Sequence, residues 1–552
     1  MLGKYLNKKE GSIYLFSGLT LVLFLFLRVI AWKNTVLFED YDSLGYLEVM
    51  KIILQGDIAG IWNLKPEYAP GYGVFGAFFS LPGWGVEIGA RLTSLFFGGL
   101  CFLALLGIGK HIGWSWGVVF GLFLVSINPT LLSHSIAVLS EPTYVGLVYL
   151  GLWLFLQQRK DPGIGGAVFL GIIFGFVFLT RAEGILFLLF IPFLQIVANY
   201  WSGKNILPLK SQIVWCLIYV LGFAMIAGPQ IWRVSEKMGS LAINGRQNWM
   251  AVLNNPDGKS YKEKIHGLDF SPSEVNIVYL GSHSDELKSA ENMNLYIPIS
   301  KAIWNFSDLT QNRLGILLGP MCLIAFGFGI LSLYKSGYTF ELFLFLAFLA
   351  ESLIGPLLHN VAIRHILVIA PMMCLIAGIG IIYVTKVLVG TDRQYAAVFN
   401  LLPLIFLFGT ATGWAVPIKQ ALTPPSYNRE YSLAELKEPL HILRNIADHE
   451  LGRAPVVLAE KGYVTYFLGA SRLPLPYSSY EKLVKYCELN KVGFFYFVDK
   501  RIREWNFPFY KDFASGRALA DFTILYDGVD AYGEQVVLYR FNNKQKNLDS
   551  SP

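Results

Sequence analysis

Residues 139–199 read LSEPTYVGLVYLGLWLFLQQRKDPGIGGAVFLGIIFGFVFLTRAEGILFLLFIPFLQIVAN. Charge is confined to three places: Glu141 near the start, Arg159, Lys160 and Asp161 at one turn, and Arg181 and Glu183 at the next. Between them lie apolar runs at 139–157, 163–181 and 184–199. A helix needs roughly 20 such residues to cross the hydrocarbon of a bilayer. Three near-contiguous runs joined by turns of a few residues define an antiparallel helical hairpin series in lipid, because only closed hydrogen-bonded helices tolerate that solvent.

Outward from this stretch the pattern repeats. Comparable runs fall near 13–32, 86–109, 114–133, 212–233, 313–334, 339–357, 365–386 and 396–416, giving about eleven spans. The segment 70–83, PGYGVFGAFFSLPG, is short and rich in Gly and Pro, and reads as a re-entrant or interfacial helix or the first part of a tilted span. The composition agrees. Of 552 residues, 54% are apolar and only 15% charged, against roughly 25% charged in soluble proteins. That excludes a soluble enzyme, a disordered chain and a basic-patch nucleic-acid binder.

Residues 417–552 hold 34 of the 84 charged residues, so a membrane part at 1–416, with loops at 33–85 and 234–312, is expected to precede a water-exposed domain. In the tail, PVVLAE (455–460), VGFFYFVD (492–499), FTILYDG (522–528) and QVVLYRF (535–541) read as strands. Between the first two, Leu483, Val484 and Cys487 recur at helical spacing over 479–491. This predicts a small α/β domain. The five cysteines show no metal-ligand spacing and read as small buried hydrophobes.

Lys4, Lys8 and Lys9 precede the first span and place the N-terminus in the cytoplasm. Counting spans from there, the inner segments carry eleven basic residues and the three acids Glu10, Asp161 and Asp392. The rule that cytoplasmic loops are positive therefore puts 33–85, 234–312 and the tail on the outer side.

Four outer segments carry the candidates for chemistry. In FEDYDSLGYLEVMKIILQGD (38–57), Glu39, Asp40 and Asp42 cluster after the first span, with Asp42-Ser43 read as the N-cap start of a surface helix. Glu141 opens a span just before Pro142, where an acid suits the helix dipole and equally suits catalysis. Arg181 and Glu183 occupy an outer turn, either as a helix-end ion pair or as functional charges at the edge of hydrocarbon. Glu351 is embedded in the ninth span, and His359, Arg364 and His365 stand at the outer end of the ninth and tenth. Arg364 offers a guanidinium fork to a phosphate at headgroup depth, or snorkels to ordinary lipid headgroups. Under the topology above, all of them fall on one face of the membrane.

These segments, in this order, resemble the C-type (GT-C) integral-membrane glycosyltransferases, in particular the branch of protein O-mannosyltransferases and aminoarabinose transferases. The resemblance rests on Asp42-Ser43-Leu44-Gly45-Tyr46 followed by Gly56, ARLTSLFFGGL (90–100), SEPTY (140–144), TRAEG (180–184) and IRHILVIAP (363–371). It covers nearly the whole chain, with Ala182 standing where proline is usual. It implies an α-helical polytopic GT-C fold with an extracytoplasmic C-terminal α/β domain in the cell membrane.

The implied activity is inverting transfer of a sugar from a polyprenyl-phosphate donor to an acceptor hydroxyl or amine. Asp42 matches the first-loop catalytic aspartate, with Asp40 a second candidate. Glu141 matches the second acidic position, Arg181 and Glu183 the later charged pair, and Arg364 a basic position near the donor phosphate; Tyr46 and His365 fall in the same matched segments. Implied partners are the lipid-linked sugar, a protein, lipid or glycan acceptor, and membrane lipids, with no nucleic acid. No metal ligands are assigned, and a divalent metal stays open. The rival classes are a transporter or flippase of lipid-linked sugars, for which internal repeats are wanting, and a non-catalytic scaffold of the same fold.

Overall fold

The computed structural model describes residues 8–34, 41–63, 69–113, 115–159, 162–201, 208–244, 268–270, 275–277, 296–358, 362–389, 401–422, 429–446 and most of 455–542. Two compact units emerge. One comprises 1–39, 45–244 and 294–424; the other comprises 40–44, 245–293 and 425–552.

The first unit is helical. Its elements are α1 (Lys8–Asn34), α2 (Tyr41–Leu54, of which residues 45–54 belong to this unit), α3 (Ile58–Asn63), α4 (Gly71–Ser80), α5 (Val86–His111), α6 (Trp116–Ile127), α7 (Pro129–His134), α8 (Glu141–Gln158), α9 (Ile164–Thr180), α10 (Phe187–Trp201) and α11 (Leu209–Met238). After residue 295 come α12 (Tyr296–Asp308), α13 (Leu314–Leu318), α14 (Pro320–Lys335), α15 (Thr339–Leu358), α16 (Ala370–Val389) and α17 (Leu402–Leu422). Among the described residues six helices are long and apolar enough to cross a membrane, or seven if a bent pair counts as one span; α6 and α9 are shorter apolar helices. The chain is a polytopic α-helical membrane protein.

Among the described residues the expected apolar runs appear as helix, with two instructive breaks; residues 114 and 396–400 of those runs lie outside the described residues. The run 114–133 divides at Asn128, whose side chain accepts from Leu131 N at 2.9 Å and donates to Leu317 O at 2.8 Å. The run 313–334 is entered at a bend of 99°, where Gly319 adopts φ +73°, a conformation open to glycine. The segment 70–83 is the short helix α4, packed on α5.

Close approach of backbones holds the bundle, as expected where lipid supplies no hydrophobic drive between helices. On α9 a Cβ at Gly171 would collide with the backbone of Tyr219 and Phe223, and Gly222 of α11 meets the α9 backbone in return. Tyrosine hydroxyls lock the joints: Tyr219 donates to Phe187 O at 2.8 Å, and Tyr149 donates to Val368 O at 2.8 Å while accepting from Met372 N at 2.9 Å.

The second unit contains a two-stranded ladder, β1 (Leu268–Phe270) and β2 (Val275–Ile277), and a five-stranded mixed sheet. The sheet is built from β3 (Val456–Ala459), β4 (Ser471–Leu473), β5 (Phe494–Val498), β6 (Phe522–Val529) and β7 (Gln535–Phe541), in the order β4-β3-β5-β7-β6. Helix α18 (Arg429–Ile446) covers one face through Leu440 and Leu443. Helix α19 (Tyr480–Leu489) covers the other, where Leu483 and Cys487 join an aromatic core around Phe495, Phe522 and Tyr539. All four expected strands and the expected helix are found; β4 and α18 were not anticipated. No cysteine is in a disulfide, and all but Cys216 are fully buried.

Candidate active site

The site is assembled from helix ends. Helix α9 stops at Thr180, whose hydroxyl turns back onto Phe176 O at 2.8 Å. Arg181 then takes an extended conformation, φ −149° and ψ 136°, before a single 3₁₀ turn at Ala182–Leu186 leads into α10. The kink presents the Arg181 guanidinium to two carboxylates. Nη1 lies 2.6 Å from Glu141 Oε1 and Nη2 lies 3.0 Å from Glu183 Oε1.

Glu141 itself sits in the first turn of α8 after Ser140. Its side chain is only 5% exposed, and among the described residues its second oxygen, Oε2, has no hydrogen-bond partner. The segment leading to it is fixed from below. Arg91 of α5 donates through Nε to Ile136 O at 3.1 Å and through Nη2 to Trp32 O at 2.7 Å. Ser94 donates to Ala137 O at 2.6 Å, and Tyr72 joins Ser94 at 3.0 Å. The motif ARLTS thus acts as the floor that positions Glu141.

Tyr46 of α2 donates to Ser140 Oγ at 2.9 Å and packs edge-on against Tyr72 at 5.0 Å. Asp42 is half-buried one turn earlier in α2. It lies inside the first turn of that helix, not ahead of it as the N-cap reading had it. Asp40 and His359 lie outside the described residues. Arg364 and His365 are half-buried in a second 3₁₀ segment, Ile363–Ile369, just before α16. Arg364 lies within electrostatic range of Glu141, as His365 does of Glu183. Tyr149 tethers this segment to α8.

The sequence-selected residues Tyr46, Glu141, Arg181, Glu183, Arg364 and His365 therefore gather where α8 begins, where α9 ends and just before α16. Three neighbours were not singled out. His134 of α7, with Nδ1 2.9 Å from Thr130 O, acts electrostatically on Glu141 from seven positions upstream. Tyr144 stands three residues after Glu141, within range of Arg181 and Glu183. Ser140 receives Tyr46. Spacing alone marks Tyr144, since three residues in a helix share a face. Among the described residues no three potential metal ligands stand together.

The bundle is similar in fold to solved oligosaccharyltransferase and ArnT structures. The oligosaccharyltransferase of Archaeoglobus fulgidus, solved with Zn and sulfate, aligns over 95% of this chain and 73% of its own, with TM-score 0.57 and 13% identity. The archaeal oligosaccharyltransferase AglB of the same organism, in complex with an inhibitory peptide and a dolichol-phosphate, aligns over 97% and 75%, with TM-score 0.57 and 11% identity. ArnT from Cupriavidus metallidurans bound to undecaprenyl phosphate aligns over 96% and 98%, with TM-score 0.50 and 13% identity. No family model matches the chain, and no curated protein matches it by sequence.

Proposed function

We propose that this protein is an inverting glycosyltransferase that moves a sugar from a polyprenyl-phosphate donor to an acceptor hydroxyl or amine at the outer face of the membrane. The observation that carries the reading is the Glu141–Arg181–Glu183 arrangement, with Glu141 buried and Glu183 partly exposed, on a fold shared with proteins solved with dolichol-phosphate and undecaprenyl phosphate. The acid-rich first loop and the clustering of Arg364 and His365 at the same helix ends support it. In this reading the N-terminus lies in the cytoplasm and residues 417–552 on the outer side, supported by the excess of Lys and Arg in the segments counted as inner.

Polyprenyl phosphate leaves as a stable anion, so its departure needs charge stabilisation and no proton donor. Arg364 supplies that charge, in a setting where low dielectric strengthens it. A single base removes the acceptor proton as the new bond to the anomeric carbon forms and the bond to the phosphate oxygen breaks on the opposite face. We assign the base to Asp42, because the Glu141 carboxyl is engaged by Arg181 at 2.6 Å while Asp42 stands half-buried at the start of α2. Arg181 and Glu183 hold Glu141 and shape the pocket.

The test is donor turnover in purified membranes. A panel of polyprenyl-phosphate sugars is offered with cell-envelope acceptors, and free polyprenyl phosphate is quantified for the wild type and Asp42→Asn. Release that depends on acceptor and disappears in the folded variant supports the reading. No release by the wild type with any donor, while lipid-linked sugar crosses the membrane, replaces it with transport.

A further inference from the structure

The helical run Ala302–Leu318, which carries most of α12 and all of α13, meets α14 at 99°. Helix α14 itself follows the spans. A Cβ at Gly380 of α16 would collide with Ala325 O, and one at Gly329 of α14 with Ile376 O. The two contacts step four residues forward on α14 and four back on α16, so these helices lie antiparallel with their backbones touching. Helix α16 belongs to a 26-residue apolar stretch, Ile363–Leu388, long enough to cross a bilayer. A helix set at 99° to α14 therefore runs along the membrane plane.

The residues of this run agree with that direction. Ile303, Trp304 and Phe306 are 67%, 68% and 55% exposed, whereas Asn305 among them is 2% exposed. One turn on, the exposed residues are Thr310, Gln311 and Asn312. In a run that crossed the membrane, these polar groups would face hydrocarbon near its middle, at a cost. Laid flat at the boundary, the same run offers apolar side chains to acyl chains and polar ones to headgroups and water, as interfacial helices do. Tryptophan is enriched at that depth. Exposed apolar side chains resume at Ile316 and on α14 at Ile324 and Leu331, the lipid-facing side of the bundle.

Both ends of the run are pinned to elements that carry the site. Asn305 donates to Leu357 O of α15 at 2.7 Å, two residues beyond Gly355, where an added Cβ would stand 3.3 Å from Glu183 Cγ. Leu317 O accepts from Asn128 at 2.8 Å, at the break between α6 and α7. Between the pins, Leu314 N bonds Leu309 O five residues back, in a single wide turn. Both carboxylate oxygens of Asp308 are taken there, by Arg313 Nε and Asn312 Nδ2 at 2.8 Å each. We propose that Ala302–Leu318 is an in-plane strap seated in the lipid–water boundary beside Arg181 and Glu183, with Ile303, Trp304 and Phe306 inserted among phospholipid acyl chains. Its partner is the phospholipid surface. The seat fixes the depth of the α15 end and of the Asn128 break, and with them the level at which the site stands in the bilayer. It holds whether or not the protein transfers sugar.

The experiment uses the full chain in nanodiscs of phosphatidylethanolamine and phosphatidylglycerol, with part of the lipid brominated either next to the glycerol or near the chain methyl. The Trp304 signal is the wild-type emission minus that of Trp304→Phe. Shallow bromine is expected to quench it several-fold more than deep bromine. In a chain whose native cysteines are replaced by alanine, nitroxides on Ile303→Cys, Phe306→Cys, Gln311→Cys and Ile316→Cys are tested for collision with oxygen and with a water-soluble nickel chelate. The labels at positions 303 and 306 should favour oxygen, and the label at 311 the chelate. Positions 303 and 316 should read similar depths, where a run crossing the membrane would separate them by about 20 Å.

Quenching of Trp304 by deep bromine as strong as by shallow puts the ring in the hydrocarbon core and overturns the proposal. A Trp304 quenched by neither stands in water or under protein, and overturns it as well. So does a depth difference of about 20 Å between positions 303 and 316, or a preference for the chelate at positions 303 and 306. The bromine measurement leaves every native cysteine in place and decides the question by itself if the cysteine-free chain does not fold.

Discussion

Arg181 and Glu141 stand forty positions apart in sequence, yet Arg181 Nη1 lies 2.6 Å from Glu141 Oε1. The side chains are 14% and 5% exposed, so the pair has exchanged most of its water for one another. Such pairs add little net stability when complete and are expensive to leave half-made. Arg181→Ala is therefore expected to destabilise the bundle by about 3–5 kcal/mol, the usual effect of stranding a buried charge. Removing both partners, Glu141→Leu with Arg181→Leu, should cost less than the sum of the single changes. Thermal unfolding of the purified protein across this double-mutant cycle checks it; additive effects would show that the two groups do not act as a unit.

The 3₁₀ segment that bears Arg364 depends on one hydroxyl. Tyr149 gives its proton to Val368 O and receives Met372 N, an amide of the first turn of α16 that has no partner within its own helix. Tyr149→Phe keeps the ring and removes both bonds. The expected loss is about 1–3 kcal/mol for the stranded groups, with weakened binding of bare polyprenyl phosphate because Arg364 loses its anchor. Unchanged lipid affinity in a measurably less stable variant would separate the tether from the arginine.

Two helical glycines give contrasting outcomes for the same substitution. Gly222 of α11 lies against the α9 backbone at Val168 and Gly171, whereas a Cβ at Gly327 of α14 meets nothing within 4 Å outside its own helix backbone and chain neighbours. Gly327→Ala should be neutral or stabilising by up to ~1 kcal/mol, the helix-propensity difference. Gly222→Ala should be destabilising, because two backbones in contact cannot yield as a side chain can. The melting temperatures of the two variants in detergent decide it, and equal shifts would remove close backbone packing as the reason these helices associate.

Much of this was legible before any coordinate was known. The apolar runs were visible because lipid demands a continuous apolar segment, and the strands at 455–460, 492–499 and 535–541 because burial on both faces of the sheet imposes apolar runs, whereas 522–528 is a largely exposed edge strand. The breaks inside runs were not. Asn128 splits a span through a bond to Leu317, and Arg181 leaves the helix through a change in φ and ψ; both are tertiary effects that periodicity cannot encode. The site was half legible. Charges in apolar surroundings drew attention to Glu141, Arg181, Glu183 and Arg364, but ion pairs join residues far apart in sequence, so the partnership of Arg181 with Glu141 needed the fold. His134 and Tyr144 passed unnoticed because a histidine in a polar turn and a tyrosine in a helix are ordinary.

Cys487 gives a measurement confined to the second unit. The thiol is fully buried between α19 and the sheet, and burial pushes its pKa well above the ordinary thiol value. Thiolate is the reactive form. Maleimide should therefore leave Cys487 unmodified at pH 8 in the native protein and modify it fully after unfolding, in a variant where the other four cysteines are replaced by serine or alanine. Rapid native labelling would mean that α19 opens readily from the sheet.

The assignment of the base separates Asp42 from Glu141 by their surroundings. Asp42 stands half-buried in the first turn of α2, where an acid gains about 1 kcal/mol or less from the helix dipole. Glu141 is buried and paired with Arg181. Asp42→Asn should thus remove about 10²–10⁴-fold of turnover, the range for loss of a general base, while shifting stability by no more than about 1 kcal/mol. Glu141→Gln should lower both together, since the amide breaks the buried charge pair and leaves Arg181 only its partly exposed partner Glu183. Plotting turnover against melting temperature for the two variants places them on different lines if the proposed roles hold. A Glu141→Gln protein that keeps its stability and loses all turnover would move the base to Glu141, and the Arg181 pair would then be the device that orients it.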